Sequence, residues 1–133
     1  MSDIRSRPCI ACPYRKDVPS GVWSASDYDK LPPYDQPTGQ QPPAPFGCHA
    51  TPEHLCSGWA QVHTSRGREN DLLALRLAAV MGLDVEVPPK SVELFESGTA
   101  AAEHGKRDID NPDPEAVRTM QLLLRKYGRL RER

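Results

Sequence analysis

Apolar positions are spread unevenly along this chain. Residues 69–81, ENDLLALRLAAVM, carry them densely enough to predict a buried helix stopped by Gly82. Val117, Met120, Leu124 and Tyr127 recur along one face at helical spacing. The helix they define is marked at both ends, with Asp113 as N-cap, Pro114 at the first position, Glu115 in the first turn and Gly128 at the close. Residues 97–104, SGTAAAEH, predict a short alanine-rich helix capped by Gly105. Ser24 and Asp27 stand in capping-box-like spacing, so a short helix is expected over 24–31 and stopped by Pro32-Pro33. Residues 56 to about 63 predict the first turns of another helix, and 46–49 a short extended piece. The remainder is punctuated by turns. Residues 8–23, PCIACPYRKDVPSGVW, form a turn-rich knuckle, and 35–45 hold four prolines and three glutamines in an irregular loop.

Composition sharpens this picture. The chain has 133 residues, the size of one ordinary domain, but only 38% are hydrophobic and 6% aromatic, with 14 prolines. From Met1 to Gln61 there are four leucines and isoleucines (Ile4, Ile10, Leu31 and Leu55), and all four cysteines fall in that same stretch. A segment so short of core formers needs a covalent or metal staple. The expected fold is therefore a single, mostly α domain, small and metal-stapled, with an irregular, Pro-rich N-terminal half and little β. Its cysteine-bearing half is 1–63, with a Pro-rich loop over 32–45, and its helical half is 64–133.

The cysteines stand as C-x2-C, then 35 residues, a third cysteine, 7 residues and a fourth. The short spacing lets Cys9 and Cys12 present two thiolates to one ion from a single turn, while Cys48 and Cys56 close the site. No apolar secretory region opens the sequence and no run approaches the length of a membrane span, so a cytoplasmic protein with no membrane partner is expected. In a reducing compartment, clustered cysteines are ligands or reactive thiols more often than disulfides. Zinc is the favoured ion and a 4Fe-4S cluster the alternative, since both accept four thiolates. Proline on either side of the knuckle (Pro8, Pro13), and Trp23, Phe46 and Trp59 as shields, speak for a cluster. His49 and His54, as replacement ligands or hydrogen-bonding partners of ligands, speak for zinc.

Other chemistry is excluded. Pro13 occupies the place of the histidine that covalent haem requires, and Cys9 comes too early to follow a βα unit as in thioredoxin-like dithiols. Pro8-Cys9-Ile10-Ala11-Cys12 matches half of the zinc deaminase signature, without room upstream for the other half. No phosphate-binding glycine loop, H-E-x-x-H or Ser-His-Asp order is present. An enzyme is the less favoured reading. Arg15 is expected in a solvated turn, hydrogen-bonding near the thiolates. His104, at a predicted helix end, is the one further candidate for a ligand or catalytic role.

The segments 8–23, FGCH (46–49), HLCSGWAQVH (54–63) and LFESGTAAAEHGKRDI (94–109) resemble an uncharacterised family of small four-cysteine proteins from actinobacteria and their phages. The resemblance implies that the four cysteines act as one site, and it brings no activity. The Gly21-Val22-Trp23 turn with four cysteines also resembles actinobacterial iron–sulfur transcription regulators, in a different cysteine order.

Net charge is −1, so the whole molecule lacks the broad basic footprint of a nucleic-acid binder. Residues 117–133 nevertheless carry Arg118, Arg125, Lys126, Arg129, Arg131 and Arg133 against Glu132 alone. A protein partner is the leading expectation, with nucleic acid at this basic C-terminal helix the alternative.

Overall fold

Ser24 opens the first helix, α1 (Ala25–Tyr28), through a complete capping box: its hydroxyl accepts from the Asp27 amide, and the Asp27 carboxylate accepts from the Ser24 amide. The computed structural model describes residues 4–82 and 86–128. Among them α1 is followed by α2 (Ser57–Thr64), α3 (Leu73–Val80), α4 (Gly98–Arg107) and α5 (Pro114–Tyr127), and pairing is limited to isolated bridges. The fold is mostly α with almost no strand.

Local signals set several boundaries. Cys56 is the N-cap of α2, its sulfur accepting from the Trp59 amide. Asp113 caps α5 by accepting from the Glu115 and Ala116 amides, and Gly128 closes it in the left-handed conformation at φ 67°. Phe46 and Cys48 pair with the segment before α2, through Cys48 N–H to His54 O (2.8 Å), Cys56 N–H to Phe46 O (2.9 Å) and a bridge between Gly47 and Leu55.

Four expectations need correction. Helix α1 ends at Tyr28, and Pro32 and Pro33 begin a 3-10 turn, Pro32–Asp35, in addition to stopping a helix. Helix α4 runs through Gly105 to Arg107, so this glycine does not cap it. Gly105 lies against the Tyr28 ring, where any added Cβ would collide with ring carbons. Close approach of α1 and α4 requires glycine there. Helix α3 begins at Leu73 and is not a buried helix: Ala74 is its one buried residue, while Val80 and the following Met81 are 85% and 78% exposed. On α5 the buried stripe is Ala116 and Leu123, flanked by half-buried Met120 and Tyr127, so Val117 and Leu124 sit at its exposed edge. Arg129, Arg131 and Arg133 of the basic tail lie outside the described residues.

The core gathers on the N-terminal side. Tyr14, Val22, Trp23, Tyr28, Leu31 and Trp59 are fully buried or nearly so, together with all four cysteines. Later segments pack back onto this half. Lys16 N–H donates to Glu93 O (3.1 Å), Phe95 N–H to Tyr14 O (2.9 Å) and Gly21 N–H to Gly105 O (2.9 Å). Asp35 caps α4 from a distance in sequence, accepting from the amides of Gly98 and Thr99 at 2.7 Å each. The two halves therefore interlock. Among the described residues, no helix is long and apolar enough to cross a membrane.

Candidate metal centre

The first knuckle is a tight turn, with Cys12 N–H bonded to Cys9 O (3.1 Å) and Arg15 N–H to Cys12 O (3.0 Å). Two long side chains brace it. The Trp23 indole donates to Ala11 O (2.7 Å), and the Arg15 guanidinium donates to Cys9 O (3.2 Å) while pairing with Asp17. The second element is the small loop between Cys48 and Cys56, closed by the bridge described above and led into α2.

Folding brings the cysteines together in cross-pairs, one from each element. Cys9 and Cys48 lie close enough to shift one another's ionisation, and the sulfurs of Cys12 and Cys56 lie 3.9 Å apart. Tetrahedral zinc–thiolate sites, with bonds of about 2.3 Å, place their sulfurs about 3.8 Å apart. The pairs adjoin: Cys12 acts electrostatically on Cys9, and Cys48 on Cys12. All four cysteines are buried and free. Among the described residues, no group of three or more histidine, cysteine or acidic side chains stands close enough together to hold a metal ion.

Backbone amides surround the sulfurs. Trp59 N–H donates to Cys56 (3.4 Å), and the amides of Ala11, Tyr14, Ala50 and Thr51 lie near enough to Cys9, Cys12 and Cys48 to favour their ionised forms. Hydrogen bonds of this kind favour the thiolate. In the metal-free chain burial opposes them. Cys12 is raised by burial and then by Cys56, and Cys9 is raised by donating to Cys48 and by burial. Cys48 is lowered to about 5, first by the hydrogen bond from Cys9 and then, against burial, by the Thr51 and Ala50 donors. Four thiolates buried together without a cation would be prohibitively costly. The guanidiniums of Arg5 and Arg15 lie within electrostatic reach of Cys9, on the outside of the group.

Gly58, in the first turn of α2, makes the approach feasible. A Cβ there would stand 2.6 Å from Cys12 Sγ and 3.0 Å from Tyr14 Cβ. Trp59 is fully buried, 5.6 Å from Tyr34 and 6.4 Å from Phe46 between ring centroids.

The histidines have other employment. His49 is tucked between Trp23 and Phe46, with Nε2 3.2 Å from Asp27 Oδ1. Burial opposes ionisation of Asp27, but His49 and Ser24 outweigh it and hold the carboxyl well below its ordinary range. His54 takes part through its backbone, and its Nδ1 is buried without a hydrogen bond. His104 donates from Nε2 to Val18 O (2.7 Å) and packs on Phe95, tying α4 to the N-terminal half.

Sequence reasoning missed a second buried polar chain. Tyr14, whose phenol burial holds protonated, donates to His63 Nε2 (2.9 Å), and His63 Nδ1 faces the Asp35 carboxylate at 3.7 Å. Arg66 completes it, 3.6 Å from the same carboxylate oxygen. Burial lowers His63 to about 4, against the pull of Asp35. The only sequence signal was position: Tyr14 follows the first cysteine pair by two residues, and His63 lies two helical turns after Cys56.

The family of unknown function DUF6283 matches residues 4–124. The chain belongs to it. The match spans both cysteine elements and all five helices except the last residues of α5. No curated protein and no solved structure matches the DUF6283 chain.

Proposed function

We propose that this DUF6283 protein is a small cytoplasmic zinc protein in which Cys9, Cys12, Cys48 and Cys56 hold one structural ion, and that the stapled domain serves as a binding or regulatory module for a protein partner. The observation that carries the reading is the convergence of buried sulfurs from two separate loops, Cys12 and Cys56 at 3.9 Å with Cys9 and Cys48 adjoining, and the Trp59 amide donating to Cys56. Bound zinc would supply folding energy to a half with few aliphatic residues, and a closed four-thiolate site keeps no open position for substrate. That is why a module, and not an enzyme, is the reading. The actinobacterial or phage setting implied by the sequence resemblance belongs to the same proposal.

Exposed Leu77, Val80 and Met81 near α3, and Val117, Leu122 and Leu124 on α5, favour a protein partner over nucleic acid. Arg118, Arg125 and Lys126 are exposed on α5 but share its surface with those apolar side chains. A 4Fe-4S cluster is the second reading, supported by the buried aromatic side chains of Phe46, Trp59 and Trp23 on the segments that carry the cysteines.

Metal analysis of natively purified protein tests the proposal. A colourless protein with one zinc per chain is expected. A brown protein with visible-range absorbance and stoichiometric iron would replace zinc by the cluster, and folded protein lacking both would overturn the metal reading.

A further inference from the structure

Helix α5 turns two kinds of side chain to solvent in matching register. Val117 and Leu124, 40% and 49% exposed, stand seven residues apart, and so do the exposed Arg118 and Arg125. At about 100° per residue, positions seven apart nearly superpose, so each pair forms a row with a spacing of about 10 Å along the axis. Exposed Gln121 lies between the two rows, and Leu122 borders the arginines on their far side. The opposite face of the helix, Ala116 and Leu123 with Met120 and Tyr127, is the one packed on the domain. Lys126 lies over the Tyr127 ring, 5.6 Å from its centroid. Arg118 and Arg125 have no ion-pair or hydrogen-bond partner among the described residues. The centre of the outer face is thus a pair of cations without a counterpart in the chain, bordered by aliphatic side chains.

We propose that this outer face of α5 is the docking surface for an acidic amphipathic helix of a protein partner, with partner carboxylates on Arg118 and Arg125 and partner aliphatic side chains on Val117 and Leu124. The inference rests on the reading of the domain as a protein-binding module, and names the surface and the partner's chemistry. Arginine presents a planar fork that takes a carboxylate through two parallel hydrogen bonds, and an apolar row beside it keeps water from them. Rows seven residues apart are what a second helix presents when it is laid along the first. A second copy of α5 would double the arginines along one seam, a like-charge arrangement that opposes association. A nucleic-acid duplex would satisfy the arginines but set Val117, Leu122 and Leu124 against phosphates, and a net charge of −1 offers no wider basic surface. A bilayer takes an apolar row at the centre of a helix face with cations at its edges, whereas here the arginines are central.

The experiment titrates the full chain as purified, by calorimetry, with synthetic helical peptides that carry leucine and a second residue in adjoining rows seven residues apart. The second residue is glutamate in one peptide, lysine in another and glutamine in a third, and a mixed-sequence DNA duplex is the fourth probe. The glutamate peptide should bind, more weakly as salt rises, and the lysine peptide should not. Arg118→Glu combined with Arg125→Glu should weaken the glutamate peptide by about tenfold or more and create binding of the lysine peptide. Leu124→Gln should weaken the glutamate peptide several-fold. All three positions are exposed, so the variants should keep the parent's melting temperature, and Arg125→Gln alone replaces the double variant if that one does not fold. Glutamate and lysine peptides bound alike, a glutamate peptide indifferent to the arginines, or no binding of it at all would overturn the proposal. A glutamine peptide bound as tightly as the glutamate one would overturn it and keep the protein-binding reading. Duplex DNA held through the same arginines, with no peptide bound, would overturn both.

Discussion

Residues 72–81 form the densest aliphatic run in the chain, yet Val80 and Met81 are left largely in solvent and Ala74 is the one buried residue of α3. Residues 8–23 contain a single isoleucine and no leucine, yet Ala11, Cys12, Tyr14, Val22 and Trp23 have almost no exposed surface. Local hydrophobicity and burial thus run in opposite directions. A helix buries its apolar face only if another surface meets it. The knuckle is met from several sides: by Trp23 on Ala11 O, by α2 pressing Gly58 onto Cys12 and Tyr14, and by the segment around Phe95 bonding Tyr14. Sulfur and aromatic rings hold this region where aliphatic packing would serve elsewhere. The contrast favours a partner for α3 and a staple for the knuckle.

The sharpest way to break the comparison is to remove one sulfur. Cys56→Ser deletes a proposed ligand and weakens the N-cap of α2, so the loss should be about 5 kcal/mol or more, comparable to the stability of a small domain. Because α4 is tied to the N-terminal half at Gly105 and Asp35, it should lose order along with residues 4–64. Near-UV circular dichroism and a melting curve check this, and an unchanged pair of traces would count against the staple.

A smaller effect comes from His63. Its folded value is about 4 against an ordinary 6.5, so the unfolded chain binds the proton first as pH falls. The stabilisation is complete above about pH 6.5 and is lost progressively towards pH 4. Between about pH 7.5 and about pH 5 this amounts to roughly 2 kcal/mol. His63→Gln should be less stable at neutral pH but should lack this share of the acid slope. Denaturant midpoints of both proteins at the two pH values measure the difference, and parallel slopes would remove His63 from the account.

The smallest expected change lies in α3. Val80→Lys should alter stability by no more than about 0.5 kcal/mol in the isolated protein, since surface substitutions away from special features rarely do more. A loss of 2 kcal/mol or more in thermal unfolding would mean that α3 is covered within the chain after all.

How much was legible in the sequence follows from the range of each interaction. Asp113, Pro114 and Gly128 act within one or two turns of their own helix, and α5 was placed from them alone. Ser24 and Asp27 worked the same way, and Cys56 was legible as a helix start. Gly105 looked like a helix end because glycine usually is one, while its actual constraint, the Tyr28 ring, lies 77 positions earlier. The cross-pairing of Cys9 with Cys48 and Cys12 with Cys56 depends on how two loops meet, which spacing does not encode. Thr51 and Arg5 carried no sequence signal, and His63 only its position after Cys56, since each acquires its role from a distant partner.

The central claim is that a metal, not an aliphatic core, holds the N-terminal half. The most direct test strips the natively purified protein with a chelator, quantifies the released ion, and follows amide hydrogen exchange before and after. The account predicts one zinc released per chain with loss of protection at the amides of Ala11, Tyr14, Trp59 and Gly21, and its return when zinc is restored. Complete removal of the metal with protection unchanged at those four amides would contradict it.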